Sequence, residues 1–169
     1  MKLIKYLSTL TFIIFSFTFF TAELYDRTSE LALTPAVKKI ASKKRTKREI
    51  ILSSAYSLIG VDYWPGGQDS DYGYDCSGFT QYVYSKAGID IPRRAIEQYQ
   101  ASRKIEEALL KKGDLVFFNS RGYGVNHVGI YSGKGKFIHS PGIGKTIKED
   151  TLDTPYWHVR FMTGGSYTK

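Results

Sequence analysis

With 169 residues, a formal net charge of +8 and a single cysteine, the chain has room for one domain of ordinary size and cannot form an intramolecular disulfide. The cationic surplus favours anionic partners. Nucleic acid is excluded because no recognition module is visible and an exported chain seldom meets it.

Residues Met1 to Ala22 carry Lys2 and Lys5, then the apolar and hydroxyl-rich run Leu7 to Phe20, and no acidic residue. That is the pattern of a signal peptide. The run is shorter than the roughly 20 residues of a spanning helix, so export with cleavage near Ala22 is expected, and bulky Phe20 leaves an uncleaved, membrane-tethered form as the alternative. Removing this segment takes away two lysines and leaves +6. Residues 23–45 read as a basic linker. Lys38, Lys39, Lys43, Lys44 and Arg45 concentrate charge there, continued by Lys47 and Arg48 just beyond, as a solvated arm or as an attachment to anionic wall polymer or membrane surface.

The domain is expected over 46–169. Ile50, Ile51, Ala55, Leu58 and Ile59 recur at helical spacing, and Gly60 follows as a stop, which predicts a helix over 46–59. The stretch 60–74, with Pro65, Gly66, Gly67 and Gly73 among several aspartates, predicts an aromatic loop. A second helix is predicted from Cys76 to Ala87, capped by Asp75, with Phe79, Val83 and Ala87 on one stripe and Gly88 ending it. A short helix over 95–102 follows. The period then changes: Leu115–Phe118, His127–Ser132, Lys136–His139 and His158–Met162 read as strands. Helices first and an antiparallel sheet after make an α+β fold.

The lone cysteine lies at a helix N-terminus, where the backbone dipole favours thiolate, and small or polar Asp75, Ser77 and Gly78 flank it. A nucleophilic thiol needs a base held in one tautomer by a third group. In the strand from His127, Val128 and Ile130 point opposite to the histidine, and in the next strand Ile138 points opposite to His139. A turn centred on Gly133 sets Val128 against Ile138 and His127 directly against His139. A slip of one residue would bury one histidine among aliphatics. For His158, with no evident partner, an ordinary surface or core role is expected. A zinc site of Cys76, His127 and His139 is the competing arrangement, although the short ligand spacings of structural zinc motifs are missing.

Asp75-Cys76-Ser77-Gly78-Phe79, Lys112-Gly113-Asp114-Leu115-Val116-Phe117-Phe118, His127-Val128-Gly129-Ile130-Tyr131 and Phe137-Ile138-His139-Ser140 resemble, in order and spacing, the NlpC/P60 family of cell-wall peptidases. Gly60 to Gly67 looks like the segment preceding that family's nucleophile. Four agreeing segments make the resemblance specific. It implies a papain-like α+β core and an endopeptidase acting on amide bonds of peptidoglycan stem peptides, between D-glutamate and a diamino acid or at a cross-link. It further implies Cys76 as nucleophile, His127 as base, His139 as the third polar residue, Tyr63 by the oxyanion or substrate, and Asp75 and Ser77 as holders of the stem peptide. No cofactor or metal is implied, and the site of action is the periplasm, cell envelope or exterior. Asp62, Trp64 and Pro65 depart from the family's usual residues at the cleft mouth. An amidase or acyltransferase on another amide and an inactive wall-binding protein are the alternatives.

Overall fold

A computed structural model describes residues 44–120 and 122–168, and the folded unit begins at Arg45. The expected export segment and nearly all of the basic arm lie outside the described residues. No helix among the described residues is long and apolar enough to cross a membrane.

Helix α1 (Lys47–Ser57) begins at a capping box: the Thr46 hydroxyl accepts from the Glu49 amide and the Glu49 carboxylate accepts from the Thr46 amide. It buries Ile51 and Ala55. The following loop contains a minimal hairpin, β1 (Gln68–Asp69) with β2 (Gly73–Tyr74), which composition alone does not reveal. Helix α2 (Cys76–Lys86) starts at Asp75, whose side chain accepts from the Gly78 amide, and α3 (Ala95–Ala101) follows.

Then come β3 (Arg103–Ile105), a 3-10 turn at Glu107–Leu109, β4 (Leu115–Phe118), β5 (His127–Gly133), β6 (Lys136–His139) and β7 (Lys148–Thr151). Helix α4 (Pro155–His158) and β8 (Phe161–Ser166) close the domain. The α+β class read from the sequence holds. The six-stranded sheet has the order β3-β8-β4-β5-β6-β7 and is antiparallel throughout. The end of the chain corrects the sequence reading. Trp157 and His158 lie in a helix with Pro155 at its start, and the strand after them sits between β3 and β4 rather than at an edge.

The sheet is covered on both faces. Leu115, Phe117, Val128, Ile130 and Ile138 pack with α1 and α2, while Val116, Phe118 and Phe137 pack with Leu152 and Trp157 on the other side. That is why β4 reads Leu-Val-Phe-Phe without alternation: every residue meets one core or the other.

The β5–β6 register also differs from the expected one. Ile130 faces Ile138 and Tyr131 faces Phe137, two residues away from a turn centred on Gly133. The turn is Lys134-Gly135, both with positive φ (55° and 71°), which matches the twist of a two-residue hairpin, and a bulge between Tyr131 and Gly133 absorbs one further residue. A shift of two preserves side-chain parity. His127 and His139 therefore keep a common face, but the residue across from His139 is Gly129.

Lys47 and Arg48, read as part of the basic arm, belong to α1 instead. The Arg48 guanidinium bonds Asp114 Oδ1 at 2.9 Å and the Lys112 carbonyl at 2.8 Å, fastening α1 to the turn before β4. The Asp114 side chain is 2% exposed and also accepts from the Lys111 amide. Arg48→Met would strand that buried carboxylate and should cost about 3 kcal/mol of stability in urea unfolding, with Arg48→Lys costing less. Equal stability of Arg48→Met and the parent would show that the ion pair does not fasten α1.

Candidate functional site

Three glycines determine where Cys76 sits. A Cβ on Gly73 would fall on the carbonyl oxygen of Asp62, one on Gly67 on that of Gly73, and one on Gly78 on that of Gly67. The loop 62–75 is thus stacked backbone on backbone against the first turn of α2, a packing no larger residue allows.

Side chains lock that turn. Asp75 Oδ1 accepts from the Gly78 amide at 2.6 Å, from Arg93 Nη1 at 2.9 Å and from Ser77 Oγ at 3.3 Å, while Oδ2 accepts from Arg93 Nη2 at 2.6 Å. Arg93 also donates to Ser77 Oγ at 2.9 Å. Buried Gln98 donates to the Ser77 and Pro92 carbonyls and accepts from Thr80. The Ser140 hydroxyl, immediately after β6, donates to the Tyr74 carbonyl at 2.7 Å and ties the sheet to the segment leading into Cys76. Arg93, Gln98 and Ser140 carry this clamp, and sequence reasoning assigned none of them. An arginine after Pro92 and a glutamine in a short helix read as ordinary solvated positions.

Tyr63 is half-buried; its amide donates to the Lys145 carbonyl and its backbone bridges to Tyr74, so it lines the loop beside the segment that leads into Cys76.

His127 opens β5 and His139 closes β6. Their rings meet edge to face, with His127 Nε2 and His139 Nδ1 2.8 Å apart. Gly129 makes this possible, because a Cβ there would lie 2.7 Å from the Phe137 ring and 3.2 Å from His139 Cβ. Trp157 stacks on His127 at 5.3 Å between ring centroids and meets His139 edge-on. Beyond His139 lies a residue that sequence reading passed over: His139 Nε2 is 3.0 Å from Asp150 Oδ2 on β7. Trp157 Nε1 donates to the same oxygen at 3.1 Å, and Lys148 Nζ lies 2.9 Å from Asp150 Oδ1. His158 is exposed and apart from this group. Among the described residues no group of three or more His, Cys, Asp or Glu side chains has metal-site geometry.

Cys76 is partly accessible and packs at the margin of the helix-side core. Desolvation pushes its thiol up to about 11 and the Asp75 charge adds to this, while hydrogen bonds from the backbone of Val128, Ser77 and Cys76 itself act in the opposite sense. The helix terminus therefore does not by itself hold a thiolate, and a base is required. Burial lowers the basicity of His139, opposed by its hydrogen bond to Asp150 and assisted by the charges of Lys148 and Lys145. Partial burial disfavours the Asp150 charge, but bonds from His139, Lys148 and Trp157 outweigh it and hold the carboxyl well below the usual range. Chemically the domain holds a recessed thiol at the start of α2 and two coupled imidazoles on β5 and β6, the second of them bonded to a carboxylate.

The model of the NlpC/P60 family matches residues 60–165. Murein DD-endopeptidase MepH of Escherichia coli (strain K12) is 40% identical over 128 residues, which are 73% of this chain and 46% of MepH. Bifunctional muramidase/DL-endopeptidase CwlT of Bacillus subtilis (strain 168) is 39% identical over 119 residues, 69% of this chain and 36% of CwlT. The chain spans less than half the length of either relative. Among solved structures, the NlpC/p60 domain of peptidoglycan hydrolase SagA is similar with a TM-score of 0.62 at 38% identity, covering 70% of this chain and 97% of that domain. A family match over residues 60–165, more than half of the chain, leads to one conclusion: the chain belongs to the NlpC/P60 family.

Proposed function

We propose that this chain is an exported cysteine endopeptidase that hydrolyses amide bonds of peptidoglycan stem peptides, using Cys76, His127 and His139. The observation that carries the reading is the direct 2.8 Å contact of His127 Nε2 with His139 Nδ1, in a domain whose capped helix α2 starts at a recessed thiol. With Nε2 committed to His139, Nδ1 is the atom His127 presents for the thiol proton. The sulfur attacks the scissile carbonyl. Amides at the start of α2, with Tyr63 alongside, receive the oxyanion. The proton on His127 passes to the leaving amine as the C–N bond breaks, and water then hydrolyses the thioester. Asp75 and Ser77 flank the bound stem peptide, with Arg93 fixing both. No cofactor enters.

The relatives' names include both DD- and DL-endopeptidases, which supports peptidoglycan as substrate at the level of class. The bond we assign is the one between D-glutamate and the diamino acid, with a cross-link as the second reading. Mass spectrometry of sacculi digested by the purified protein distinguishes the two by the fragments released, and no cleavage of any stem peptide would remove the peptidase assignment in favour of a wall-binding role.

Cys76→Ser should remain folded and lose about 10³-fold or more in turnover on a defined muropeptide, and alkylation of the parent by iodoacetamide should do the same. His127→Ala should be nearly as damaging. His139→Asn, which still hydrogen-bonds, should retain roughly tenfold more activity than His139→Ala. His158→Ala should stay within about twofold of the parent, as its exposure implies. Equal loss in the two His139 variants would count against an orienting role for that ring.

The cations that precede α1 are assigned to attachment on anionic wall polymer or membrane. Such binding is screened over about 8 Å at physiological ionic strength. Removal of residues 23–44 should weaken co-sedimentation with sacculi at low salt and leave cleavage of a small soluble muropeptide unchanged. Unaltered binding across a salt series would return this segment to a plain linker.

A further inference from the structure

Strand β7 contributes a group that the three-residue mechanism does not use. Across β6 and β7, His139 faces Lys148 and Phe137 faces Asp150, so the Asp150 carboxylate reaches diagonally to the His139 ring. Its polar partners are His139 Nε2 and Trp157 Nε1 at Oδ2 and Lys148 Nζ at Oδ1, with the charge of Lys145 acting on His139 from the loop before β7. An ionised carboxylate only accepts hydrogen bonds. His139 must then carry its proton on Nε2, and a neutral imidazole protonated there can only accept at Nδ1. The 2.8 Å contact at Nδ1 forces His127 to donate from its own Nε2. His127 Nδ1 is left unprotonated, the state a general base for Cys76 needs.

We propose that Asp150 is a positioning residue that sets the direction of the whole hydrogen-bond chain, Asp150 to His139 to His127, and keeps His127 Nδ1 as the basic atom. The inference rests on the peptidase reading above, and extends it from three residues to four. In this role Asp150 acts through His139 rather than on the reacting atoms. Its effect has two parts: it fixes the tautomers, and its charge stabilises the imidazolium that forms when the thiol proton moves. Lys148, on the same carboxylate and opposite His139, opposes the second part. The two side chains therefore work against each other on one titration, which a purely architectural tie between β7 and α4 would not do.

The test is long-range proton–nitrogen NMR of the histidine rings of the whole protein, followed from about pH 4 to pH 9, beside a pH–rate profile on a defined muropeptide. In the parent, neutral His127 and His139 should both carry hydrogen on Nε2. Asp150→Asn keeps the shape and an acceptor but loses the charge. The titration of the histidine pair should fall by about one pH unit, and kcat should drop at least about tenfold with KM within about twofold. Lys148→Met should move the titration upward instead. An Nδ1–H tautomer at His139 in the parent overturns the proposal without recourse to any variant. So does a titration that neither substitution displaces by more than about 0.3 pH unit. The NMR readings do not depend on hydrolysis: a parent that cleaves no muropeptide would defeat the peptidase reading alone, and full turnover by Asp150→Asn would defeat the relay alone.

Discussion

Two imidazoles sit inside this domain, and what makes their burial tolerable is that each inward nitrogen has a partner. An unpaired polar group removed from water costs a few kcal/mol, so a half-satisfied pair would unsettle the sheet around it. His127 and His139 satisfy each other at 2.8 Å, and Asp150 takes the far nitrogen of His139. The neighbouring features serve this geometry. Gly129 vacates the position across from His139 so that its ring can lean toward His127, and Trp157 and Phe118 close over His127. The carboxylate at the end of the chain is itself spanned by Trp157 and Lys148, so no member of the network is left to solvent competition alone.

Much of this could be read from the residues, for identifiable reasons. Asp75 before Cys76 predicts a capped helix because an Asx side chain answers a free amide there, and the structure has that bond to Gly78. The shared face of the two histidines followed from parity, since Val128, Ile130 and Ile138 had to reach the same core. Parity was the robust part of that argument and the turn centre was the fragile part: Lys134 takes a positive φ that lysine seldom adopts, and a bulge follows Tyr131, which together displaced the register by two.

Strand β7 was illegible for a different reason. Lys148-Glu149-Asp150-Thr151 has no apolar alternation, being an edge strand whose place is set by pairing with β6 rather than by burial of its own side chains. Without a signal for β7 the sequence gives Asp150 no position, and the aromatic and β-branched run after Trp157 masks the helix start that Pro155 provides. The clamp on α2 was hidden likewise. Arg93 and Gln98 acquire their roles from the folding back of the chain between Ile91 and α3, and nothing in local periodicity marks a glutamine as buried.

Cys76 and His127, the nucleophile and base of the proposed mechanism, belong to different layers, which raises the question of how their spacing is held. Cys76 rides on a helix, whereas His127 is fixed to the sheet, and a helix packed only by aliphatic contacts can slide by a fraction of an ångström at little cost. Two polar ties oppose this. Ser140 binds the Tyr74 carbonyl two residues before Cys76, and a backbone hydrogen bond from Val128 favours the thiolate form of Cys76. Both ties spring from the strands that carry the histidines, one residue beyond His139 and one beyond His127. The sulfur is thus referenced to the same two strand ends that position the rings. In the proposed mechanism, burial that raises the thiol to about 11 is compatible with reactivity, because proton transfer to a neighbour held in place requires no reorganisation of the site.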